Sequence, residues 1–433
     1  MQSCNVKLGK CNIPSDQLPP LRSLDKPSPC DAAHDLKQIS IKHTKYKGPF
    51  INKCSVNLDK SQIHHKYTKS LADEQTKIPE SWDWRKMGGD CIEDGSRNQG
   101  ECGCCWAMAT VSALGDRYAL KNKLQSPFFS AIHAVMCLNP DIKPNKQCQC
   151  GGSIFLALCN IQKYGTRLES CWPFGIIHSN GVYDAPACPN FLNDCCFNCC
   201  GGTNSQLAKI NVKLKSNTKP VALGFWNHTT SKKDLDPLTT ITAIQRDIYN
   251  NGPIPTSFMV PSKWPQWFKK NSGTNNIFIP EAGDSQDGGH AVVLVGWGRD
   301  NQDRLYWILR NSWGILNGKG SGFCYMLASY DPKNNRTQIP KELWTGLDIP
   351  IIINNNEVAG GCISFQVDTQ FSDSPNFKKT KGKGSLPTPI PGGPDFNFDW
   401  NDINWGLLGS CIGIFIIILI GTIILSKTFK KTS

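Results

Sequence analysis

Three short frames constrain this 433-residue chain more than anything else in it. The first, 98–107, reads Asn-Gln-Gly-Glu-Cys-Gly-Cys-Cys-Trp-Ala. Far downstream stand Gly288-Gly289-His290-Ala291 and the run 306–314, Tyr-Trp-Ile-Leu-Arg-Asn-Ser-Trp-Gly. A Cys, a His and an Asn, each in its own frame and in that order, make a complete set for acyl transfer through a thiolate. A chain that uses this set must bring its second half back onto its first.

Each residue answers a physical need. The thiolate is the nucleophile, so Cys105 needs help to ionise. Apolar positions Ala109, Val111, Leu114, Tyr118 and Leu120 predict a helix over 105–120 that opens at Cys105. Unpaired N–H groups and the macrodipole at a helix start favour negative charge there. A protonated His290 nearby favours it further, so the expected resting pair is thiolate and imidazolium. The oxyanion formed on attack needs donors, and the backbone N–H of Cys105 with the side-chain amide of Gln99 supplies them. His290 then protonates the leaving amine. Asn311 holds the other imidazole nitrogen, and Trp313 covers that bond against water.

These residues resemble the papain family of cysteine proteases. Gln99 stands six residues before Cys105, as that family's glutamine does before its nucleophile, which selects Cys105 over Cys104. The family usually carries Ser or Ala where Cys104 sits. Within the family the resemblance is to the cathepsin B branch: 78–85 reads Ile-Pro-Glu-Ser-Trp-Asp-Trp-Arg, like a mature N-terminus, followed by Cys91, Gly115-Asp116-Arg117-Tyr118 and Asn251-Gly252-Pro253-Ile254. It covers residues 78–348. It implies a helical domain against a β-barrel-like domain, with Cys105 and His290 on opposite walls of a cleft. It also pairs Cys102 with Cys148 or Cys150. Cathepsin B trims dipeptides with a loop bearing paired histidines. The loop-rich stretch after Cys171 offers only His178, so that activity is not carried over. Nor is the family's acidic specificity residue, because no Cys-Gly-Ile-Glu run follows Leu327.

Cysteine is abundant, at 21. Cys105 must be free and Cys411 lies in an apolar run, which leaves an odd number, so at least one more thiol is unpaired or pairs between chains. This density points to disulfides and an oxidising setting. Cys188, Cys195, Cys196, Cys199 and Cys200 contain one Cys-x-x-Cys step near His178, but no second ligand pair follows, and no metal is expected. The net charge of +12 is spread along the chain with no basic helix and no nucleic-acid motif, so nucleic acid is not an expected partner.

Helical patterns come first (105–170, with a second helix at 153–164 and another at 240–251). Strand-like runs follow at 291–295, 305–309 and 323–327. That order is α+β. Residues 1–77 are polar, without a long helical period, and occupy the place of a propeptide. No apolar run follows Met1, so no ordinary signal peptide is expected. After the 78–348 body comes an extension (349–404) whose end is a Pro-, Gly- and Lys-rich stalk. Residues 405–425 are then apolar and uncharged over about 31 Å, enough to cross a bilayer. Residues 426–433 form a basic tail. Lysines after the span favour a cytoplasmic C-terminus; the missing signal peptide favours a tail anchor with the body in the cytosol. A signal-less, anchored protease of this branch is similar to the probable cysteine proteinases of large insect-infecting DNA viruses. The expectation is therefore a membrane-anchored, cofactor-free cysteine endopeptidase acting on proteins or peptides, made as a zymogen. Its rival is a catalytically silent membrane or envelope protein that uses the same fold for binding.

Overall fold

The structure, a computed structural model, describes residues 57–100, 102–123, 125–137, 151–166, 168–169, 174, 214, 218–226, 235–314 and 322–367. In chain order its first elements are β1 (Asn57–Asp59), α1 (His65–Ala72), β2 (Trp82–Asp83), α2 (Trp84–Met87), α3 (Cys105–Asn122), α4 (Ala131–Cys137) and α5 (Ile154–Tyr164). Next come β3 (Val221–Ala222), α6 (Pro237–Asn251), β4 (Ile254–Pro261), α7 (Trp264–Asn271), β5 (Ile277–Phe278), β6 (Gln286–Arg299), β7 (Leu305–Arg310) and β8 (Phe323–Leu327). Short strands end the fold: β9 (Tyr330–Asp331), β10 (Arg336–Thr337), β11 (Ile351–Ile352), β12 (Glu357–Ala359) and β13 (Gly361–Ser364).

Every residue of α3 from Cys105 to Leu120 is buried. A helix closed in on all sides lies inside a fold, not on it. It ends at Lys123 in the left-handed region, φ 53°, where the Lys123 N–H returns to Ala119. Helices α4 and α5 pack on it, and β6 and β4 cross its other side. Helix α5 starts where the sequence placed it, with the Ser153 side chain accepting the Leu156 N–H at 3.4 Å. Asp236 caps α6 with Pro237 in its first turn, and Gly252, at φ 99°, ends it.

The main sheet runs β3-β13-β4-β6-β7-β8-β5, with β2 also paired to β6. All its pairs are antiparallel except β5–β8. Strand β6 is longer than the 291–295 run suggested because it serves three neighbours. A Cβ on Gly296 would stand 2.0 Å from the Trp82 carbonyl oxygen, so glycine is what admits β2 there. Mixed helix and sheet fit the α+β expectation. Two segments outside 78–348 share this core. Leu58, Ile63 and Leu71 are buried in it, as are Val358, Cys362 and Phe365.

Among the described residues no helix is long and apolar enough to cross a membrane. The expected span 405–425, its stalk, residues 1–56, and the His178 and Cys188–Cys200 region lie outside the described residues.

Candidate active site

Cys105 opens α3 and is fully buried. Backbone amides of Ala291, Trp106 and Cys105 itself favour its thiolate, yet burial outweighs them and pushes the thiol up to about 11. The contact with Ala291 brings the sulfur to the strand residue next to His290. Cys104, one position earlier, is also free and buried. Burial, and then the neighbouring Cys105, keep its thiol well above the ordinary range.

His290 lies on β6 opposite Phe258 of β4 and is fully buried. Its Nε2 is 2.7 Å from Asn311 Oδ1. The tautomer follows from one further bond. The Ser312 backbone N–H donates to the same Asn311 Oδ1 at 2.8 Å. A backbone N–H can only donate, so that atom is an acceptor, and His290 Nε2 must carry the proton. The Nδ1 of His290 is left as a bare lone pair, buried and without a hydrogen-bond partner. Burial lowers the imidazole to about 4, against the opposing pull of Asn311. Sulfur and imidazole are thus both pushed toward neutrality, where the sequence suggested a resting ion pair. The cause is that neither group touches water.

Gln99 and Asn311 come from distant frames, and the backbone zips those frames together. Gln99 N–H donates to Ser312 O at 2.8 Å, Gly314 N–H to Arg97 O at 2.8 Å, and Asn98 bridges Trp313. Gln99 Oε1 accepts the Ser312 hydroxyl at 2.6 Å, and its Nε2 donates one hydrogen to Cys102 O at 3.0 Å. These bonds use one of the two amide hydrogens.

Trp313 stands 4.9 Å from the His290 ring, tilted by 37°. The imidazole has two more aromatic neighbours that the motifs did not reveal, Trp264 at 5.7 Å and Phe258 at 5.9 Å. Trp264 also meets Trp313 at 5.0 Å. Aromatic spacing in α7 (Trp264, Phe268) was the available signal. Beneath the site lies a buried charge network. Arg310 donates to Asp116 at 2.6 Å and to the Glu93 carbonyl at 3.0 Å. Glu93 takes Arg97 at 2.8 Å and the Ser112 hydroxyl at 2.9 Å. Burial raises Asp116 to about 6 even with Arg310 beside it. This network ties α3, which carries Cys105, to β7, which leads into Asn311.

Cys91, Cys102 and Cys159 are disulfide-bonded, while Cys324 and Cys362 join Cys104 and Cys105 as free buried thiols. The partners expected for Cys102 lie outside the described residues. Among the described residues no cluster of three or more metal-ligating side chains occurs.

Residues 78–346 match the family described as papain family cysteine protease. The probable cysteine proteinase 024R of Invertebrate iridescent virus 3 is 28% identical over 342 residues, covering 70% of this chain and 66% of that protein. The chain thus spans just under two thirds of that relative. Cathepsin B-like cysteine proteinase 5 of Caenorhabditis elegans is 28% identical over 277 residues, 60% of this chain and 74% of that one. Among solved structures, proCathepsin B S9 from Trypanosoma congolense aligns with a TM-score of 0.45 at 19% identity, covering 84% of this chain and 87% of that one.

Proposed function

This chain belongs to the papain family of cysteine proteases, and from that premise we propose that it is a cathepsin B-like cysteine endopeptidase acting on proteins or peptides. The observation that carries the reading is the state of His290. Its Nε2 is committed to Asn311, and its Nδ1 lone pair is buried and unpartnered beside the strand residue that Cys105 touches.

The chemistry follows from these residues. The Cys105 sulfur attacks the scissile carbonyl carbon while its proton passes to His290 Nδ1. The α3 N-terminus and the amides of Ala291 and Trp106 favour the negative sulfur during this step. Burial in the enclosed site pushes both partners toward neutrality, and the proton transfer to His290 yields the thiolate–imidazolium pair. The Cys105 N–H and the spare Gln99 amide hydrogen receive the oxyanion, and each such donor contributes about 3 kcal/mol in comparable sites. His290 returns its proton to the leaving amine. Water, deprotonated by the same nitrogen, then hydrolyses the thioester. No step calls for a cofactor.

We read 405–425 as a single-pass anchor, on the strength of its uncharged apolar length. Deleting it should release the protein from carbonate-washed membranes; retention without it refutes the anchor.

The decisive test is covalent labelling with a thiol-directed epoxide. One label per chain is expected after processing, lost in Cys105→Ala and kept in Cys104→Ser. No label on a folded, processed chain makes it a binding protein on a silent protease fold.

A further inference from the structure

In secreted relatives an N-terminal segment is cut away and leaves. The contacts of 57–76 argue for something else here, and we propose that this segment is a resident part of the working molecule. Hydrolysis at the linker, between Lys77 and Ile78, would then yield a two-chain protein, not a trimmed one.

The segment is woven into the body at three levels. Its strand β1 pairs with β12, placing Leu58 opposite Val358, and both are buried. Strand β12 is held on its other edge by β11 and runs on into β13, which lies inside the main sheet between β3 and β4. Removing β1 therefore bares an edge that leads directly into that sheet. Next, Ile63 bridges Ala222 of β3, and the His64 N–H donates to the Ala222 carbonyl at 3.0 Å. The approach is close: a Cβ on Gly224 would stand 2.9 Å from Ile63. Finally α1 lies along α6. Leu71 and Thr68 are wholly buried there. The Thr68 hydroxyl accepts the Gly224 N–H at 3.1 Å while donating to the His64 carbonyl at 3.0 Å.

The anchoring then stops at a definite place. Arg246 of α6 donates to the carbonyls of Glu74, at 2.7 Å, and Thr76. Asn250 donates to the Glu74 carboxylate at 3.0 Å. Beyond Thr76 the chain has no regular structure until β2, and Gln75, Thr76 and Lys77 are exposed. Lys77 is thus the first basic residue after the 57–76 segment's last contact with α6, and it is exposed, while Ile78 after it is half-buried. Water added across the Lys77–Ile78 amide leaves a carboxylate on Lys77 and an ammonium group on Ile78. Neither new charge falls on a buried atom of the clasp. Apolar burial, backbone pairing and the side-chain bonds of Thr68, Arg246 and Asn250 hold the segment, and none of them needs that peptide bond.

The test uses the full chain carrying Cys105→Ala, which blocks self-digestion and makes the outcome independent of whether the site is catalytic. A trypsin-class protease is applied briefly, and the products are run on a native sizing column and weighed intact. The expected result is a peptide ending at Lys77 that travels with the body and parts from it only in denaturant. The Lys77→Gln variant should resist that cut. Adding Leu71→Ala should speed loss of the cut peptide at least tenfold. Departure of the peptide on the native column overturns the proposal, whatever the body then does. Failure to cut after Lys77 while other lysines are cut overturns the assignment of the link.

Discussion

The seam around Cys105 and the clasp made by 57–76 hold parts of one body together by different means. The seam uses polar groups whose donor and acceptor roles fix one another. Ser312 N–H fixes the Asn311 oxygen, Asn311 fixes the His290 tautomer, and the Ser312 hydroxyl fixes the Gln99 amide. The clasp uses apolar side chains and backbone pairing, through Leu58, Ile63 and Leu71. The two should therefore fail differently. A seam substitution should cost rate with little loss of stability, and a clasp substitution the reverse.

The largest expected effect is in the seam. His290→Ala should lower kcat by about 10⁵-fold, the scale seen when a member of a cooperating catalytic set is removed. Peptide hydrolysis measured beside thermal unfolding checks it, and a fall of tenfold or less would detach His290 from the chemistry. Arg310→Met comes next and blurs the division, because Arg310 lies under the seam yet bridges α3 and β7. It leaves Asp116 buried without its cation, at a cost of about 4 kcal/mol of unfolding free energy. Denaturant titration should find the loss smaller at pH 5, where Asp116, already raised to about 6, takes a proton.

The contrast also explains what could be read in advance. The frames around Cys105, His290, Asn311, Gln99 and Trp313 were legible because each is a distinctive short motif, and the structure brings those frames together along one seam. Helix α3 was legible because its apolar positions recur over a long stretch. The clasp was not. Strand β1 is three residues long and exists only because β12 lies beside it. Helix α1 has eight residues, too few to show a period within the polar stretch around it. Strand β13 lies within a segment that read as the approach to a stalk. Ser312 was visible within a known frame, but its role depends on Gln99, a partner far away in sequence. The push that burial exerts on the Cys105 thiol and the His290 imidazole is encoded by no motif.

Leu71→Ala tests the clasp alone. A fully buried leucine cut to alanine costs about 3 kcal/mol. The unfolding midpoint should fall while kcat and KM of the folded fraction stay put; a matching fall in kcat would show that the clasp shapes the seam. The part of the seam's effect on stability that comes from His290 should show only in acid. His290 titrates near 4 when folded and near 6.5 when unfolded, so the unfolded chain binds the extra proton between those values. Stability is then full above pH 6.5 and falls toward pH 4, by up to about 3 kcal/mol. In His290→Gln that part of the slope should vanish. An unchanged slope would assign acid sensitivity to other groups.

The smallest effect is the most discriminating about the seam. In Ser312→Ala the backbone N–H that holds Asn311 remains, so the imidazole keeps its tautomer. What is lost is the 2.6 Å bond to Gln99 Oε1, leaving the Cys102 carbonyl to orient that amide from one side. A neutral hydrogen bond of this kind contributes about 1 kcal/mol, so kcat should drop roughly fivefold. KM should hold, because an oxyanion donor matters only once the oxyanion exists. Wild-type kcat in this variant would mean that Cys102 alone suffices, and that the disulfide-bonded Cys102 turn sets the Gln99 amide. A rise in KM with kcat unchanged would move Gln99 from the reacting oxygen to ordinary substrate binding.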